Sequence, residues 1–142
     1  MPMIDVYAAS GTFNDRKTLA RDLAAAVMRW EGVPEIPLFK DNTAAFIHEL
    51  AADAISDVSS SGRHIRVQVL TPAGVLNRDK QLGVVKELTE IVVAAAGDPD
   101  LAARTWVLIV ESPDGGWGIA GHANTGADIA DLARRALTGG SA

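Results

Sequence analysis

The chain has 142 residues and a mass of 14.9 kDa, with 48% hydrophobic and 22% charged residues. That size and balance give one domain with a core of its own and exclude a disordered chain. Thirteen basic against eighteen acidic residues leave a formal charge of −5 with no basic run, which argues against nucleic acid or an anionic membrane as partner.

The absence of cysteine excludes disulfides, thiolate metal sites and cysteine nucleophiles. His48, His64 and His122 lack helical ligand spacing, so no metal site is expected. No apolar run reaches the roughly eighteen residues of a membrane span, and the start lacks a signal-peptide pattern. The expected setting is soluble and cytoplasmic.

Met3 to Ala8 mixes β-branched and aromatic residues and predicts a first strand, closed by Ser10 and Gly11. Asn14 stands as N-cap of a helix over 15–30, with Leu19, Leu23, Ala26, Val27 and Trp30 at helical spacing. Gly32, Pro34 and Pro37 stop it and predict an extended connection. Thr43 to Ala51 reads as the second strand. The polar stretch 53–62 reads as a linker, with room for one loose helical turn near Asp53–Val58. His64 to Thr71 alternates cleanly and predicts a third strand. Asn77 caps a helix over 78–96 with Leu82, Val85, Leu88, Ile91 and Val92 on its apolar side, and Gly97 and Pro99 end it. Thr105 to Glu111 is a buried strand, and 117–120 a short one. Thr125 to Leu137 is an amphipathic last helix with Ile129, Leu132, Ala133 and Leu137 along one side, and 139–142 should fray.

The most informative feature is an internal repeat. Gly11, Asn14, Lys17 and Leu19 recur as Gly74, Asn77, Lys80 and Leu82 at a shift of 63, and Thr43, Ile47 and Glu49 recur as Thr105, Ile109 and Glu111 at a shift of 62. The chain is thus a single domain over 1–142 made of two units, 2–58 and 63–121, with the C-terminal helix 125–137 appended. Each unit is strand–helix–strand, which makes its two strands parallel. The fold class is α/β (α+β): four strands in one mixed sheet with two helices on one face. The other face is then left apolar, and self-association is the simplest cover.

The opening PMIDVYAASG, the GxxNxxK turn into each helix and the ending VLIVESPDGGWGIAG resemble the tautomerase superfamily. That superfamily includes 4-oxalocrotonate tautomerase, macrophage migration inhibitory factor, cis-3-chloroacrylic acid dehalogenase and malonate semialdehyde decarboxylase. The resemblance runs to about His122 and leaves the last helix outside. It implies a homotrimer, a small-molecule substrate, no cofactor, and a catalytic N-terminal proline freed when Met1 is removed. Pro2 is then a general base for keto–enol tautomerisation of a small enol or 2-oxo acid. An α-amino group has an ordinary pKa near 8, and an apolar pocket lowers it, so the amine is neutral near pH 7. The plain alternative is that Pro2 merely begins an edge strand, where its missing N–H costs nothing.

The resemblance places Trp117 as a wall beside the proline, and Ile119 is a further substrate-binding candidate. Where relatives hold a substrate carboxylate with arginine, this chain carries Thr12, Ala73 and Val75, and further on Ala44 and Trp106. Arg66 and Arg78 are the remaining anion-binding candidates, and His48 is a reserve base of open orientation. Glu35 and Asp41 lie only near the acidic position of the decarboxylase and dehalogenase. Glu49 and Glu111 are expected to have a structural job, pairing with Lys17 and Lys80 or holding a strand end, Trp30 and Trp106 to be core, and His122 to be an exposed loop residue. Two alternatives stay open: an oxo-acid decarboxylase or dehalogenase-type lyase on the same site, and a non-catalytic trimeric binding module.

Overall fold

The computed structural model describes residues 1–139; the expected fraying at 140–142 lies outside the described residues. The elements run β1 (Met3–Ala9), α1 (Arg16–Glu31), a short α2 (Pro37–Lys40), β2 (Ala44–Leu50), β3 (Ile65–Pro72), α3 (Arg78–Ala96), β4 (Thr105–Ser112), β5 (Trp117–Ile119), β6 (His122–Asn124) and α4 (Gly126–Leu137). The four long strands form one sheet in the order β2-β1-β3-β4, and β5 and β6 form a separate hairpin.

The repeat is visible in the register. Met3 faces Ala44 across the parallel β1–β2 pair, and Arg66 faces Trp106 across the parallel β3–β4 pair. These are the same positions one repeat apart. Between the halves, β1 and β3 run antiparallel, with Ile4 opposite Val69 and Val6 opposite Val67. Since Val69 repeats Val6 and Val67 repeats Ile4, the two halves are related by a pseudo-two-fold axis through the sheet centre.

Strand alternation decides the faces. Ile4, Val6 and Ala8 of β1 and Ile65, Val67 and Val69 of β3 point toward α1 and α3, whose Leu19, Leu23, Val27, Val84, Leu88 and Val92 complete the core. Truncating a side chain as deeply placed as Leu88 costs about 2–5 kcal/mol. The opposite face is not covered by α1 or α3. Phe46, Trp106, Leu108 and Val110 stand on it half-exposed. Trp106 is therefore not a core residue as expected from its sequence: its strand position turns it to the uncovered side.

Several local expectations are corrected. The cap of α1 is Asp15, whose Oδ1 accepts from the Thr18 N–H at 3.0 Å, and not Asn14. Asn77 caps α3 as expected, accepting from Lys80 N–H at 3.0 Å. The connection after Pro34 contains the helical turn α2, begun by Pro37 at its first position. His122 lies in β6 rather than a loop, though its side chain is exposed. Leu137 is exposed, while Ile129 and Ala133 make the packing contacts of α4. Glu49 pairs with Arg16 at 3.0 Å, Glu111 accepts from the Gly74 N–H, and Lys80 reaches the carbonyl of Glu31. The linker is held by Asp57, which accepts from the N–H groups of Ser59 and Ser61 and contacts His64 Nε2 at 3.0 Å.

Candidate active site

Pro2 precedes the first paired residue of β1 and is fully buried. Because β1 lies between β2 and β3, the proline begins a central strand, not an edge strand. Its ring needs no ladder partner for an N–H it lacks, and its carbonyl accepts from Ala44 N–H at 3.4 Å. Continuing the β1–β3 register by one step places Thr71 opposite Pro2. The Thr71 hydroxyl is buried with no hydrogen-bond partner among the described residues.

Beside the start of β1 is a cavity of about 100 Å³. Met1 and the turn after β3, through Pro72, Ala73 and Val75, line it together with four other parts of the chain. α1 ends at Glu31, and Gly32, at φ +73°, turns the backbone out of the helix in a left-handed conformation. α2 then delivers Phe39. The turn after β4 brings Asp114 and, through the left-handed Gly115, Trp117. Asn124 fixes that hairpin by donating to the Trp117 carbonyl at 3.0 Å. α4, started by a reciprocal Thr125–Asp128 capping box, lays Ile129 on the last side. Met1, Met28, Phe39 and Trp117 form a second buried cluster here, against which Ile119, Ile129 and Ala133 pack.

The charge in this wall is Glu31. With Met1 in place, its terminal ammonium donates to both carboxylate oxygens of Glu31, at 2.9 and 3.1 Å. Both partners are shut off from solvent. Burial pushes the Glu31 carboxyl above its ordinary value, against the opposite pull of the terminal ammonium and of Lys80. Asp114 faces the same cavity, and its Oδ1 accepts from Gly126 N–H at 2.7 Å. Among the described residues lining the cavity there is no lysine, arginine or histidine. No group of three or more potential metal ligands occurs among the described residues.

The residues singled out in the sequence fall into two sets. Trp117 is buried in the wall of the cavity that Met1 also lines, and Ile119 packs on the same cluster. Arg66 does not lie beside Pro2 within one chain. It stands on the uncovered face, opposite Tyr7 and Trp106, with its guanidinium 5.3 Å from the centre of the Tyr7 ring. Tyr7 is five strand residues from Pro2, about 16 Å at the rise of a strand. Arg78 lines an open groove between α3 and β4 together with Gln81 and Glu111. His48 turns to the uncovered face, stacked on Tyr7 and 2.7 Å from Asp5.

Sequence reasoning passed over Glu31, Phe39 and Ile129. Phe39 and Ile129 carried no signal beyond hydrophobicity. Glu31 did carry one: an acid in the last turn of a helix faces the negative end of the helix dipole, an arrangement that is locally unfavourable and so calls for a compensating partner.

No family model matches the sequence, and no curated protein matches it. Solved structures do resemble it. A fused 4-OT, a wild-type symmetric trimer, superposes with a TM-score of 0.74 at 19% identity, covering 89% of this chain and 98% of its own. N1, a member of the cis-3-chloroacrylic acid dehalogenase family, gives 0.70 at 16%, covering 92% and 90%. A macrophage migration inhibitory factor from Toxoplasma gondii gives 0.63 at 11%, covering 83% and 96%. The fold is that of the tautomerase superfamily. In this chain α4 closes one side of the cavity through Ile129.

Proposed function

We propose that the protein is a cofactor-independent tautomerase in which Pro2, freed by removal of Met1, is the general base for a small enol or 2-oxo acid. The observation that carries this reading is the wholly buried Pro2, joined to a Met1 that lines a cavity walled by Trp117. A secondary amine held there is rigid, because ring and strand fix it, and an apolar surround favours its neutral form. Taking a proton from carbon beside a carbonyl and returning it to oxygen then needs no metal. The tautomerase fold of the neighbours supports the same reading, and one of them, Pt0534, is inactivated by 2-oxo-3-pentynoate.

The active form in this reading is a homotrimer. Neighbours of this fold are described as trimers, and Phe46, Trp106, Leu108 and Val110 leave an apolar face that a lone chain would expose. Trimer assembly is also what would bring Arg66 or Arg78 of a neighbouring copy toward the substrate carboxylate. Sedimentation equilibrium is expected to give three times the 14.9 kDa chain mass.

The deciding experiment is the exchange of the α-protons of phenylpyruvate for deuterium, on protein shown by intact mass to begin at Pro2. Wild type should exchange well above buffer, and Pro2→Ala should slow it by roughly 10²-fold or more, the contribution of a positioned general base. Protein lacking Met1 that exchanges no faster than buffer leaves the trimeric binding module as the reading.

A further inference from the structure

We propose that Glu31 is the proton donor of this site, the acid that serves the carbonyl oxygen while Pro2 serves the carbon. This rests on the reading of Pro2 as base, and deepens it.

The geometry comes from the ion pair of the terminal amine. Met1 N lies 2.9 Å from Glu31 Oε1. Met1 N and Pro2 N are three covalent bonds apart, so they are separated by about 3–4 Å. The Pro2 nitrogen is therefore within about 7 Å of the Glu31 carboxyl. Removal of Met1 takes away the ammonium that neutralises Glu31 and joins the space of the Met1 side chain to the cavity it lines. An α-carbon and its carbonyl oxygen are about 2.4 Å apart. With a contact of about 3 Å at each end, such a fragment spans the distance from the amine to the carboxyl.

The charge environment makes the carboxyl a donor. Glu31 is buried, and a buried carboxyl keeps its proton unless a cation faces it. From α3, Lys80 reaches only the Glu31 backbone carbonyl, at 3.4 Å. From the turn after β4, Asp114 faces the same cavity with a like charge. From β1 the facing group is the terminal amine itself, and Thr71 of β3 offers an uncharged hydroxyl near Pro2. Relatives of this fold were expected to meet the substrate with arginine, and this wall has none among the described residues. A protonated Glu31 carboxyl is a donor in this wall able to polarise a carbonyl oxygen.

The step balances. In enolisation the Pro2 nitrogen takes the α-proton. The C–H electron pair becomes the C=C bond, and Glu31 passes its proton to the carbonyl oxygen as the C=O bond becomes C–O–H. Pro2 is left as an ammonium and Glu31 as a carboxylate. An ammonium and the Glu31 carboxylate form the same kind of pair as the 2.9 Å contact of the Met1 amine with Glu31. Return of the proton from Pro2 to Glu31 resets the pair.

The test uses Glu31→Gln, which keeps the shape and removes the proton, in protein shown to begin at Pro2. The wild-type rate of α-deuterium exchange into phenylpyruvate should follow a bell in pH. It rises as Pro2 loses its proton and falls as Glu31 loses its own. Glu31→Gln should lower kcat by about 10²-fold with KM little changed, and its profile should lose the descending limb. A variant that keeps both limbs overturns the proposal. If wild type itself does not exchange, the Pro2 reading fails, and nuclear magnetic resonance titration decides Glu31 separately. Its side-chain carboxyl carbon should titrate above the ordinary carboxylate range, and Glu31→Gln should shift the titration of the Pro2 amine. An ordinary titration with an unmoved amine overturns the pairing. If Glu31→Gln does not fold, the wild-type carboxyl titration and the Glu31→Asp profile carry the same decision: Asp should retain both limbs at reduced kcat.

Discussion

The indole of Trp30 lies against the bare Cα of Gly83, so closely that a Cβ built on Gly83 would stand 2.2 Å from the ring. The same indole donates its Nε1–H to Glu87 at 3.0 Å. This contact sets the approach of α1 to α3, the two helices that cover the sheet. It also explains a glycine inside a helix, where it costs about 1 kcal/mol relative to alanine.

Gly83→Ala tests that relationship. Helix propensity favours the variant by about 1 kcal/mol, while overpacking costs about 1–3 kcal/mol and displacing Trp30 sacrifices its hydrogen bond, about 1 kcal/mol more. The net is a loss of about 1–3 kcal/mol, read by denaturant unfolding. A variant more stable than wild type would show that the indole moves aside freely.

The helix starts separate two asparagines that look equivalent in sequence. Asn77→Ala should destabilise by about 1 kcal/mol through loss of its bond from Lys80 N–H. Asn14→Ala should leave the melting temperature unchanged, and Asp15→Ala should lower it, because Asp15 holds Thr18 through both its carboxylate oxygens. Thermal unfolding of the three variants checks the order.

The repeat explains why so much of the fold was legible. Gly11 and Gly74 both take positive φ, and both halves keep the same strand register, so each unit confirmed the other. The cap of α1 was misplaced because the repeat was followed literally: Asn14 aligns with Asn77, but the first helix begins one residue later. Trp106 was misread because a buried strand and a strand with one open apolar face have the same composition. At the cavity, Trp117 was singled out in the sequence, while Glu31 and Phe39 were not. Glu31 and Ile129 come to the same cavity from distant parts of the chain, which no local pattern records.

The linker supplies a pH dependence. Hydrogen bonds from Ser61 N–H, His64 and Ser59 N–H hold the Asp57 carboxyl below its ordinary value. A carboxyl lowered in the folded state stabilises the fold above its unfolded pKa, near 4, and that contribution is lost as pH falls through the folded value. Asp57→Asn should therefore melt below wild type at pH 7, and the gap should close as the pH drops below about 4. A gap that is constant from pH 7 to pH 3 would assign the effect to shape rather than charge.

Trp117 links the fold to the proposed chemistry. Its ring is 7% exposed and stands in the cavity wall with Phe39 and Ile129. In a chain beginning at Pro2 this wall keeps water from the amine, and desolvation lowers an amine's pKa because it disfavours the charged form. Trp117→Ala opens the wall, and the amine should move back up toward its ordinary value near 8. The ascending limb of the exchange rate should then shift to higher pH, so the variant loses most at acidic pH and recovers part of its rate at alkaline pH. Glu31 should move the other way, since hydration favours its carboxylate, and the descending limb should shift to lower pH. Loss of the wall thus narrows the bell from both sides. Equal loss of rate at every pH, with both limbs unmoved, would mean that Trp117 only holds substrate and does not set the charge of the amine.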